Sequence, residues 1–420
     1  MMKVGIIGVG TVGASVANIL RDNRDIITAR AGCEITAVIG VVNDLSKKRD
    51  VTIELTDDIE KVLNDDSIDI IVELMGGIEK PYEVVKKALE NGKAVVTANK
   101  ALLAYHRYAL QDLAGDTPFE YEAAVAGGIP IINALREGLT ANNIESIRGI
   151  MNGTCNYMLT KMIKEGIDYD TILKEAKELG YAEADPTFDV GGFDAAHKLL
   201  ILGSIAYGID AKPEDILIEG IQNISPEDID FAKEFDYSIK LLTIAKKIGN
   251  KIELRVHPAL IPNSEMIAKV EGVMNGVSVI GDKVGETMYY GPGAGGDATA
   301  SAVIANIVDI ARRGKGSPML GFESSNKEFL TLMPKDEIQT KYYIRLRVED
   351  KIGVLAKVAT ILGEKNISIE KMIQKPLNKT CAHLLLSTHT SIEKDVIEAL
   401  ENIENAGAVT EKPVMIRIED

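Results

Sequence analysis

The chain begins with apolar runs that alternate with amphipathic ones. The run KVGIIGV is apolar at nearly every position, which is typical of a parallel strand covered on both faces. The stretch Val12–Arg21 follows it with helical spacing. Further strands are predicted at EITAVIGVVN, SIDIIVEL, KAVVTAN and PFEYEAAV, with helices over Tyr82–Asn91 and from Ala101. Strands that alternate with helices predict an α/β fold with a doubly wound parallel sheet.

From about Ile131 the pattern becomes a mixed α+β one. The segment ESIRGIM is strand-like, and helical stretches follow over Tyr157–Gly166, Asp170–Gly180 and Phe193–Tyr207. Later come the strand-like segments KIELRVHPALI, SVIGDKV and ETMYYGPG, and then the long apolar helix ATASAVIANIVDIARRG. We expect a second domain over residues 135–315, whose last helix, at 297–314, packs back on the first sheet.

The C-terminal residues follow the order β-α-β-β-α-β of a ferredoxin-like domain. Between this domain and the second one, Gly, Pro, Ser and Asn occur among scattered charges, which is typical of a connector. The predicted boundaries are therefore 1–134, 135–315, a linker at 316–340, and 341–420.

Composition excludes several classes of partner and location. A net charge of −16 argues against nucleic-acid and anionic-membrane partners, and no apolar run reaches transmembrane length. The N-terminus runs directly into a strand, with no signal-peptide pattern. Cys33, Cys155 and Cys381 are far apart and form no CxxC or Cys/His cluster, so reduced thiols in a cytoplasmic protein fit best.

A glycine loop follows the first strand. Gly8-Val9-Gly10-Thr11-Val12-Gly13 has the GxGxxG spacing of dinucleotide-binding Rossmann folds. The first glycine allows a tight turn, the second lets the backbone approach a pyrophosphate, and the third lets helix and strand pack closely. The helix N-terminus adds amide donors. This context favours dinucleotide binding over a plain strand–turn–helix, so the first sheet is predicted to be Rossmann-type.

The second strand ends at residues that bear on the choice of coenzyme. Asp44 could bind a ribose 2′-hydroxyl, as NAD requires, and Lys47 or Arg49 could bind the 2′-phosphate of NADP. A solvated run of charges explains the same residues.

Polar residues also cluster around a Gly-rich turn between two helical stretches. Asp194 and Lys198 are four residues apart on a predicted helix and share one face, a spacing most often seen in surface ion pairs. Glu183, Asp185 and Asp189 precede them in a loop, where they could bind Ca²⁺ or an ammonium group, although the spacing is not that of an EF-hand.

Lys100 lies just beyond the carboxyl end of a predicted strand, where open α/β sheets bind ligands. The alternative is a surface lysine at the start of a helix. A lysine beside a hydride acceptor can exchange a proton with the alcohol oxygen, if burial and neighbours tune its pKa. His197 is adjacent to Lys198 but faces another side of the helix, and we interpret it as structural.

These residues resemble the signature of the homoserine dehydrogenase family. The signature is Ala-x3-Gly, an aromatic or aliphatic residue, a small residue, Asp-Pro-x2-Asp, and Gly-x-Asp-x3-Lys. The resemblance covers about residues 1–315 and includes the segments EAAVAGGIP, NGTCNY and GPGAGGDATAS. The chain carries the signature at Ala176, Gly180, Tyr181, Ala182, Asp185, Pro186, Asp189, Val190, Gly192, Asp194 and Lys198.

The resemblance implies the reversible NAD(P)H-dependent reduction of aspartate 4-semialdehyde to homoserine, in the biosynthesis of threonine, methionine and isoleucine. Lys198 and Lys100 are then the proton-transfer candidates, and Asp194 orients and polarises the centre. The implied substrate-binding residues are Glu183, on the ammonium group, with Tyr181, Asp189, Gly153 and Thr154.

The resemblance also implies a coenzyme and a cation. Many NADP-using members have an arginine where this chain has Asn43, so the choice between NADP and NAD stays open. A monovalent cation, Na⁺ or K⁺, is expected on the Glu122 carboxylate and the carbonyls of Val125, Gly127 and Ile129, although a turn that binds nothing fits the same residues. The expected coenzyme-binding residues are Gly8, Gly10, Thr11, Val12, Gly13, Asn43, Lys47, Arg49, Thr97, Lys100 and Gly291.

The C-terminal domain resembles an ACT domain, a small module that senses amino acids. The segment EDKIGVL, followed by NISI, carries this resemblance, and Asp350, Gly353, Val354 and Asn366 are the expected regulatory residues. We expect feedback inhibition by an amino acid, threonine first, and loss of that sensitivity without loss of catalysis when residues 335–420 are removed. A domain used only for assembly is the alternative. The resemblance implies a homodimer, with ACT pairing extending it to a tetramer.

Two other functions fit parts of the sequence. An aspartate-semialdehyde-type dehydrogenase needs a nucleophilic cysteine, and Cys155 is the one near the presumed site, so Cys155→Ser distinguishes the two enzymes. A non-enzymatic amino-acid sensor needs a degenerate nucleotide domain, and intact Lys100, Asp194 and Lys198 speak against it.

Overall fold

The computed structural model of the chain describes residues 1–314, 318–323 and 329–419. The strands, in chain order, are β1 (Met2–Ile7), β2 (Ile35–Val41), β3 (Glu54–Thr56), β4 (Ile70–Glu73), β5 (Ala94–Thr97), β6 (Phe119–Glu120), β7 (Ile144–Ile150), β8 (Leu217–Ile218), β9 (Tyr237–Ile248), β10 (Lys251–Pro262), β11 (Met274–Gly281), β12 (Gly285–Pro292), β13 (Thr331–Leu332), β14 (Gln339–Glu349), β15 (Ile369–Pro376), β16 (Cys381–Thr388), β17 (Ser391–Ile392) and β18 (Val414–Ile418). The helices are α1 (Thr11–Asp22), α2 (Arg24–Ala31), α3 (Ile59–Leu63), α4 (Glu79–Glu90), α5 (Lys100–Ala114), α6 (Ile131–Asn133), α7 (Gly153–Glu165), α8 (Tyr169–Glu178), α9 (Thr187–Val190), α10 (Phe193–Tyr207), α11 (Pro226–Glu234), α12 (Gly296–Arg313), α13 (Val354–Glu364) and α14 (Glu393–Asn405).

These elements form two compact units that interleave along the chain, so neither unit corresponds to one continuous predicted domain. The first unit comprises Met1–Gly153, Asp194–Asp215 and Val273–Leu330. The second unit comprises Thr154–Phe193, Ile216–Gly272 and Thr331–Asp420.

The first unit contains a parallel sheet in the order β3-β2-β1-β4-β5-β6. Strands β4 and β5 are buried along their whole length, as their continuous apolar runs require, because helices cover both faces of the sheet. Helix α12 packs on α1, and Val303 and Ile307 join the core formed by β1 and α1. The predicted doubly wound, Rossmann-type sheet is confirmed.

A smaller antiparallel sheet in the first unit has the order β12-β11-β7. The predicted strands ESIRGIM, SVIGDKV and ETMYYGPG fall on β7, β11 and β12, with shifted ends. β7 leads directly into Met151 and Asn152, so this sheet fixes the backbone at those residues.

The second unit is built on the antiparallel hairpin of β9 and β10. Its C-terminal part has strands in the order β18-β14-β16-β15, and α13 and α14 share a core with them. The predicted ferredoxin-like order is confirmed. β10 pairs in parallel with β18 at Ala259 and Leu260, so the C-terminal sheet continues into the hairpin.

Several elements are missing from the predicted set: α2, β3, α3, α11 and β9, and the short elements α6, α9, β8, β13 and β17. β9 is hard to recognise because Lys240, Lys246 and Lys247 interrupt its apolar pattern. Lys240 is nevertheless buried, and its Nζ donates to the carbonyl of Val270 at 2.6 Å.

The predicted strand PFEYEAAV is wrong at its first residue and beyond its third. Only Phe119–Glu120 pairs, and a 3-10 turn follows at Glu122–Ala124. The chain turns there because the Glu122 carboxylate accepts hydrogen bonds from the amides of Ile132 and Asn133, at 2.8 Å each. Residues 315–317 and 324–328, most of them in the predicted connector, and residue 420 lie outside the described residues. Within the connector, β13 pairs with β10.

Candidate active site

The loop between β1 and α1 contains three glycines with three different steric requirements. Gly8 has a φ of +106°, and a Cβ there would lie 2.6 Å from the carbonyl oxygen of Leu74. A Cβ on Gly13 would lie 2.4 Å from the carbonyl oxygen of Gly8. Gly10 faces open space, with no atom within 4 Å of such a Cβ. The backbone at Gly10 can therefore approach a pyrophosphate at the N-terminus of α1.

A crevice of about 380 Å³ opens beside this loop. It lies where the strand order of the parallel sheet reverses, between β1 and β4, and open α/β sheets bind ligands at this point. Its lining includes the glycine loop, Asn43 and Asp44 at the end of β2, and Lys47, Arg49 and Lys80. Shape and lining fit a dinucleotide coenzyme.

The charged residues at the end of β2 are partly engaged by the protein itself. The Asp44 carboxylate accepts hydrogen bonds from Ser46 Oγ at 2.5 Å and Ser46 N at 2.9 Å, and these bonds hold its pKa below the usual range. Arg49 donates to the carbonyl oxygens of Val9, Asp44 and Lys47 at 2.8–2.9 Å. Arg49 thus ties this segment to the glycine loop. Lys80, on α4, is a crevice residue that the sequence analysis missed, since no motif marks it.

The other expected coenzyme residues have different positions. Thr11 is exposed at the start of α1, and Val12 is half-buried. Gly291 lies on β12, where a Cβ would approach Ile129 to 3.2 Å. Thr97 is fully buried and its hydroxyl donates to Glu73, so a direct contact between Thr97 and a coenzyme is not available in this structure.

Three of the predicted residues meet in the first unit. Asp194 and Lys198 lie one turn apart on α10, and Lys100 is the first residue of α5. The Asp194 carboxylate is 2.6 Å from Lys100 Nζ through Oδ1 and 2.7 Å from Lys198 Nζ through Oδ2. We call this arrangement the ion triad. Because two ammonium groups share one carboxylate, it carries a net positive charge.

The end of β7 completes the surroundings of the ion triad. Asn152 Nδ2 donates to Asp194 Oδ2 at 2.9 Å, and Lys198 Nζ donates to the carbonyl oxygen of Met151 at 2.5 Å. The NGTCNY segment is part of the family resemblance, but no role was predicted for Asn152 or Met151. The signal was present, because an Asn-Gly pair ends a strand there.

Burial and charge decide the protonation of the ion triad. The Asp194 side chain is 5% exposed, Lys198 10% and Lys100 36%. Burial opposes ionisation of Asp194, but Lys198 and Lys100 hold the pKa of Asp194 well below its usual range. The carboxylate therefore stays charged, and Lys100 is the member most open to a ligand. His197 is buried and packs edge-on against the ring of Tyr105, in agreement with a structural role.

The predicted substrate residues, apart from Gly153, belong to the second unit. Tyr181 and Glu183 are exposed on the loop after α8, and Asp189 is half-buried on α9. Thr154 donates its hydroxyl proton to the carbonyl oxygen of Tyr181 at 2.6 Å, which fixes the backbone of this loop. Their roles toward a substrate stay predictions.

Cys155 does not suit a nucleophilic role. It is fully buried, and its Sγ lies 3.3 Å from the carbonyl oxygen of Asp189. A nucleophilic thiol must be reached by the substrate and is usually activated by a nearby cation. The aspartate-semialdehyde-type alternative is therefore not supported.

The expected cation ligands lie on a strongly turned segment. Ala126 and Gly127 have φ values of +55° and +56°, and this pair reverses the backbone. Burial raises the pKa of the Glu122 carboxyl to about 7. Among the described residues, the buried carbonyls of Val125 and Gly127 accept no backbone hydrogen bond, whereas Ile129 O accepts one from Ile131 N.

The expected regulatory residues surround the start and end of α13. Gly353, with a φ of +88°, precedes the helix, and Asn366, with a φ of +58°, follows it. Asp350 accepts a hydrogen bond from Gln374 Nε2 at 3.2 Å, and Val354 is half-buried.

Within residues 1–314, 318–323 and 329–419, no helix is long and apolar enough to span a membrane.

Family models match three successive segments of the chain. The model for the homoserine dehydrogenase NAD binding domain matches residues 8–121, and the homoserine dehydrogenase model matches residues 130–308. The ACT domain model matches residues 342–408.

Relatives and solved structures are similar over the same lengths. The chain is 54% identical to the homoserine dehydrogenase of Helicobacter pylori, over 100% of this chain and 99% of that one. The crystal structure of a homoserine dehydrogenase from Thiobacillus denitrificans has a TM-score of 0.93 and 46% identity, and the match covers 100% of this chain and 98% of that chain. A hyperthermophilic archaeal homoserine dehydrogenase in complex with NADPH matches with a TM-score of 0.62 and 28% identity, over 73% of this chain and 97% of that chain.

Proposed function

Because the chain belongs to the homoserine dehydrogenase family and is an NAD(P)-dependent oxidoreductase acting on a CH–OH group, we propose that its ion triad moves the proton in this reaction. The observation that carries the proposal is the shared carboxylate, with Lys100 and Lys198 both within 2.7 Å of Asp194. Two ammonium groups held by one carboxylate suit an oxygen that must receive a proton.

The reaction takes up one proton for each hydride. Aspartate 4-semialdehyde, NAD(P)H and H⁺ give homoserine and NAD(P)⁺, and the nicotinamide supplies the hydride to the aldehyde carbon. The protein must stabilise negative charge on the aldehyde oxygen and deliver the proton to it. An ammonium group does both, because it is a cation and a donor.

The two lysines have different surroundings, and we assign them different parts. Lys198 is held by Asp194 and by the Met151 carbonyl, which fits a fixed charge that stabilises the developing oxyanion. Lys100 is more exposed, and Asp194 is its ion-pair partner among the described residues. Lys100 is thus the proton donor in the proposal, and Asp194 keeps both ammonium groups in place.

Glu183 is the proposed partner of the substrate ammonium group, with Tyr181, Asp189, Gly153 and Thr154 around the substrate. Support comes from the exposed carboxylate of Glu183 on a loop whose backbone is held by Thr154. A carboxylate binds an ammonium group through charge-assisted hydrogen bonds.

NADP is the proposed preferred coenzyme. Lys47 and Lys80 line the crevice, and neither forms an ion pair among the described residues, so both are available to a 2′-phosphate. Oδ1 of Asp44, the carboxylate that NAD would use, already accepts two hydrogen bonds from Ser46. The NADPH complex of the archaeal relative is consistent with this choice.

A monovalent cation, Na⁺ or K⁺, is proposed at the Glu122 segment. The carbonyls of Val125 and Gly127 are buried, and neither accepts a backbone hydrogen bond among the described residues. Carbonyl oxygens of buried residues that accept no backbone hydrogen bond suit a hard cation, which prefers oxygen ligands.

Regulation and assembly are further parts of the proposal. The ACT domain supports an amino-acid effector, with threonine as the first candidate, bound near Asp350, Gly353, Val354 and Asn366. Binding must differ between two states of the enzyme to inhibit it. We also propose a cytoplasmic homodimer, extended to a tetramer by ACT pairing.

A spectrophotometric assay tests the proposed function. Homoserine is supplied with NAD or NADP in parallel, with and without threonine. We expect reduced coenzyme to form faster with NADP, and threonine to slow it. No turnover with either coenzyme would overturn the proposal, while equal rates would remove only the coenzyme preference.

A further inference from the structure

Glu73 is a buried carboxylate that the proposed mechanism does not use. It ends β4 at the carboxyl edge of the parallel sheet and is 0% exposed. Its Oε1 accepts a hydrogen bond from the amide of Met75 at 2.7 Å, and its Oε2 accepts one from the hydroxyl of Thr97 at 2.6 Å. Both donors are neutral, which is unusual for a fully buried carboxylate.

No charged side chain neutralises Glu73 among the described residues. Its neighbours in the sheet are the apolar Ile7 on β1 and the polar but uncharged Thr97 on β5. The remaining polar groups that face it are the Met75 amide and the side chain of Asn99, at the start of α5. Burial raises the pKa of Glu73 to about 7, although the hydrogen bonds from Thr97, Met75 and Asn99 each lower it.

A chain of hydrogen bonds leads from Glu73 to Asn99, the residue before Lys100. The hydroxyl oxygen of Thr97 also accepts the amide of Asn99 at 3.0 Å. Asn99 caps α5, because its Oδ1 accepts the amide of Leu102 at 3.0 Å. The next residue is Lys100, which contacts Asp194. The first turn of α5, and with it one ammonium group of the ion triad, is therefore anchored on the Glu73 carboxylate.

The same chain reaches the coenzyme crevice. Asn99 Nδ2 donates to the carbonyl oxygens of Gly77 at 2.9 Å and Met75 at 3.4 Å. Met75 lines the crevice. One hydrogen-bond network, whose donors are all uncharged, thus joins a wall of the coenzyme site to the start of α5.

We propose that Glu73 is a positioning residue, whose carboxylate acts through Thr97 and Asn99 to hold Lys100 in the ion triad. The proposal rests on the role given to Lys100 above. It assigns a function to a residue at a strand end, outside the signature, that does not contact Lys100 directly and does not itself line the crevice, although it accepts a hydrogen bond from the crevice residue Met75.

Hydrogen-bond donors and acceptors determine what protonation of Glu73 does. Oε1 accepts from the Met75 amide, which can only donate, whereas Oε2 faces a hydroxyl that can also accept, so the proton has a hydrogen-bond partner when it binds at Oε2. A protonated Oε2 donates to Thr97, whose oxygen then accepts from both Glu73 and Asn99. The hydroxyl proton of Thr97 loses its acceptor. The ionised form satisfies every group in the network, and the protonated form does not.

Glutamine reproduces the protonated form at this position. In a Glu73→Gln variant the amide oxygen accepts from Met75 and the NH₂ group donates to Thr97, as the carboxylic acid would. We therefore expect the wild type to exceed the variant in kcat by roughly ten-fold above the titration of Glu73, and the two to converge below it, as the Lys100 ammonium is displaced. A merely structural Glu73 would give a kcat ratio independent of pH.

The experiment measures kcat and KM for homoserine between about pH 5.5 and pH 9, a range that spans the expected titration of Glu73. Thr97→Ser keeps the hydroxyl and should retain the wild-type pH profile. Thr97→Val removes it and should give the profile of Glu73→Gln. Should Glu73→Gln fail to fold, the two Thr97 variants still test the network, with circular dichroism at each pH as the measure of folding.

Lys100→Met separates failure of this proposal from failure of the proposed function. Suppose that Lys100→Met loses activity while the ratio of kcat between the wild type and Glu73→Gln is the same at every pH. The positioning role of Glu73 is then overturned, and the role of Lys100 stands. If Lys100→Met keeps wild-type kcat, the proposed function of Lys100 is wrong and the positioning role is overturned with it.

Discussion

At the scale of single residues, the candidate centre is a balance of three charges. The side chain of Asp194 is buried and lies between the ammonium groups of Lys100 and Lys198. Its lowered pKa means that the ion triad adds to stability above the ordinary pKa of an aspartate, about 4, and loses this contribution only as the pH falls below it. The triad is therefore intact throughout the neutral range.

Substitution of the lysines tests the division of work between them. Lys100→Met and Lys198→Met should each lower kcat by roughly 10²- to 10⁴-fold, because each removes a charge beside the aldehyde oxygen. Lys100→Arg keeps the charge but cannot release its proton, so it should not restore kcat. Steady-state kinetics with aspartate 4-semialdehyde measure these effects. Cys155→Ser is the control and should retain activity, since the thiol is buried. Wild-type kcat in Lys100→Arg would mean that Lys100 serves only as a charge.

At the scale of elements, the C-terminal domain is bonded into the second unit rather than merely tethered to it. β18 pairs with β10, and Arg417 on β18 donates to Glu219 at 2.8 and 2.9 Å. Arg255 on β10 is 1% exposed and is paired with Glu253 and Glu419.

Removal of residues 335–420 should therefore do more than abolish regulation. It leaves the edge of β10 open and takes Glu419 from Arg255, and breaking a buried ion pair costs about 3–5 kcal/mol. We expect the truncated chain to lose at least about 5 °C in Tm, which calorimetry measures. Adding Glu253→Gln and Arg255→Met, which removes the buried charges, should recover part of the loss. A truncated chain with wild-type Tm would contradict this arrangement.

The sequence predicts elements well where one local rule decides them. Apolar runs identify β4 and β5, and the spacing of α10 brings Asp194 and Lys198 together. Prediction from sequence fails where a residue distant in the chain determines the local structure. A buried lysine on β9 needs the distant Val270 carbonyl, and the turn at Glu122 needs the amides of α6. Glu73 was missed for the same reason, because its partner Thr97 lies on another strand.

At the scale of the whole molecule, the proposed cation would make stability depend on both pH and salt. Burial raises the pKa of Glu122 to about 7. An unfolded glutamate ionises at about 4.3, so the folded state binds the proton more tightly, and stability falls as the pH rises from about 4.3 to about 7. The proposed cation, bound to the ionised carboxylate, would offset this loss above that range.

Salt-dependent melting tests this linkage. KCl or NaCl should raise Tm by a few degrees at about pH 8 and by little at about pH 6, relative to choline chloride at equal ionic strength. Glu122→Gln should remove the difference between the two pH values, because position 122 no longer titrates. An equal salt effect at both pH values in the wild type would speak against a cation on Glu122.

The parallel pairing of β10 with β18 bears on how the protein is made. About 150 residues separate the two strands, so during ribosomal synthesis the part of β10 at Ala259 and Leu260 waits for its partner for on the order of ten seconds. An open strand edge is a site for wrong association. β8 precedes β10 in the chain and pairs with it at Arg255 and Val256, which shortens the edge that is left open during translation.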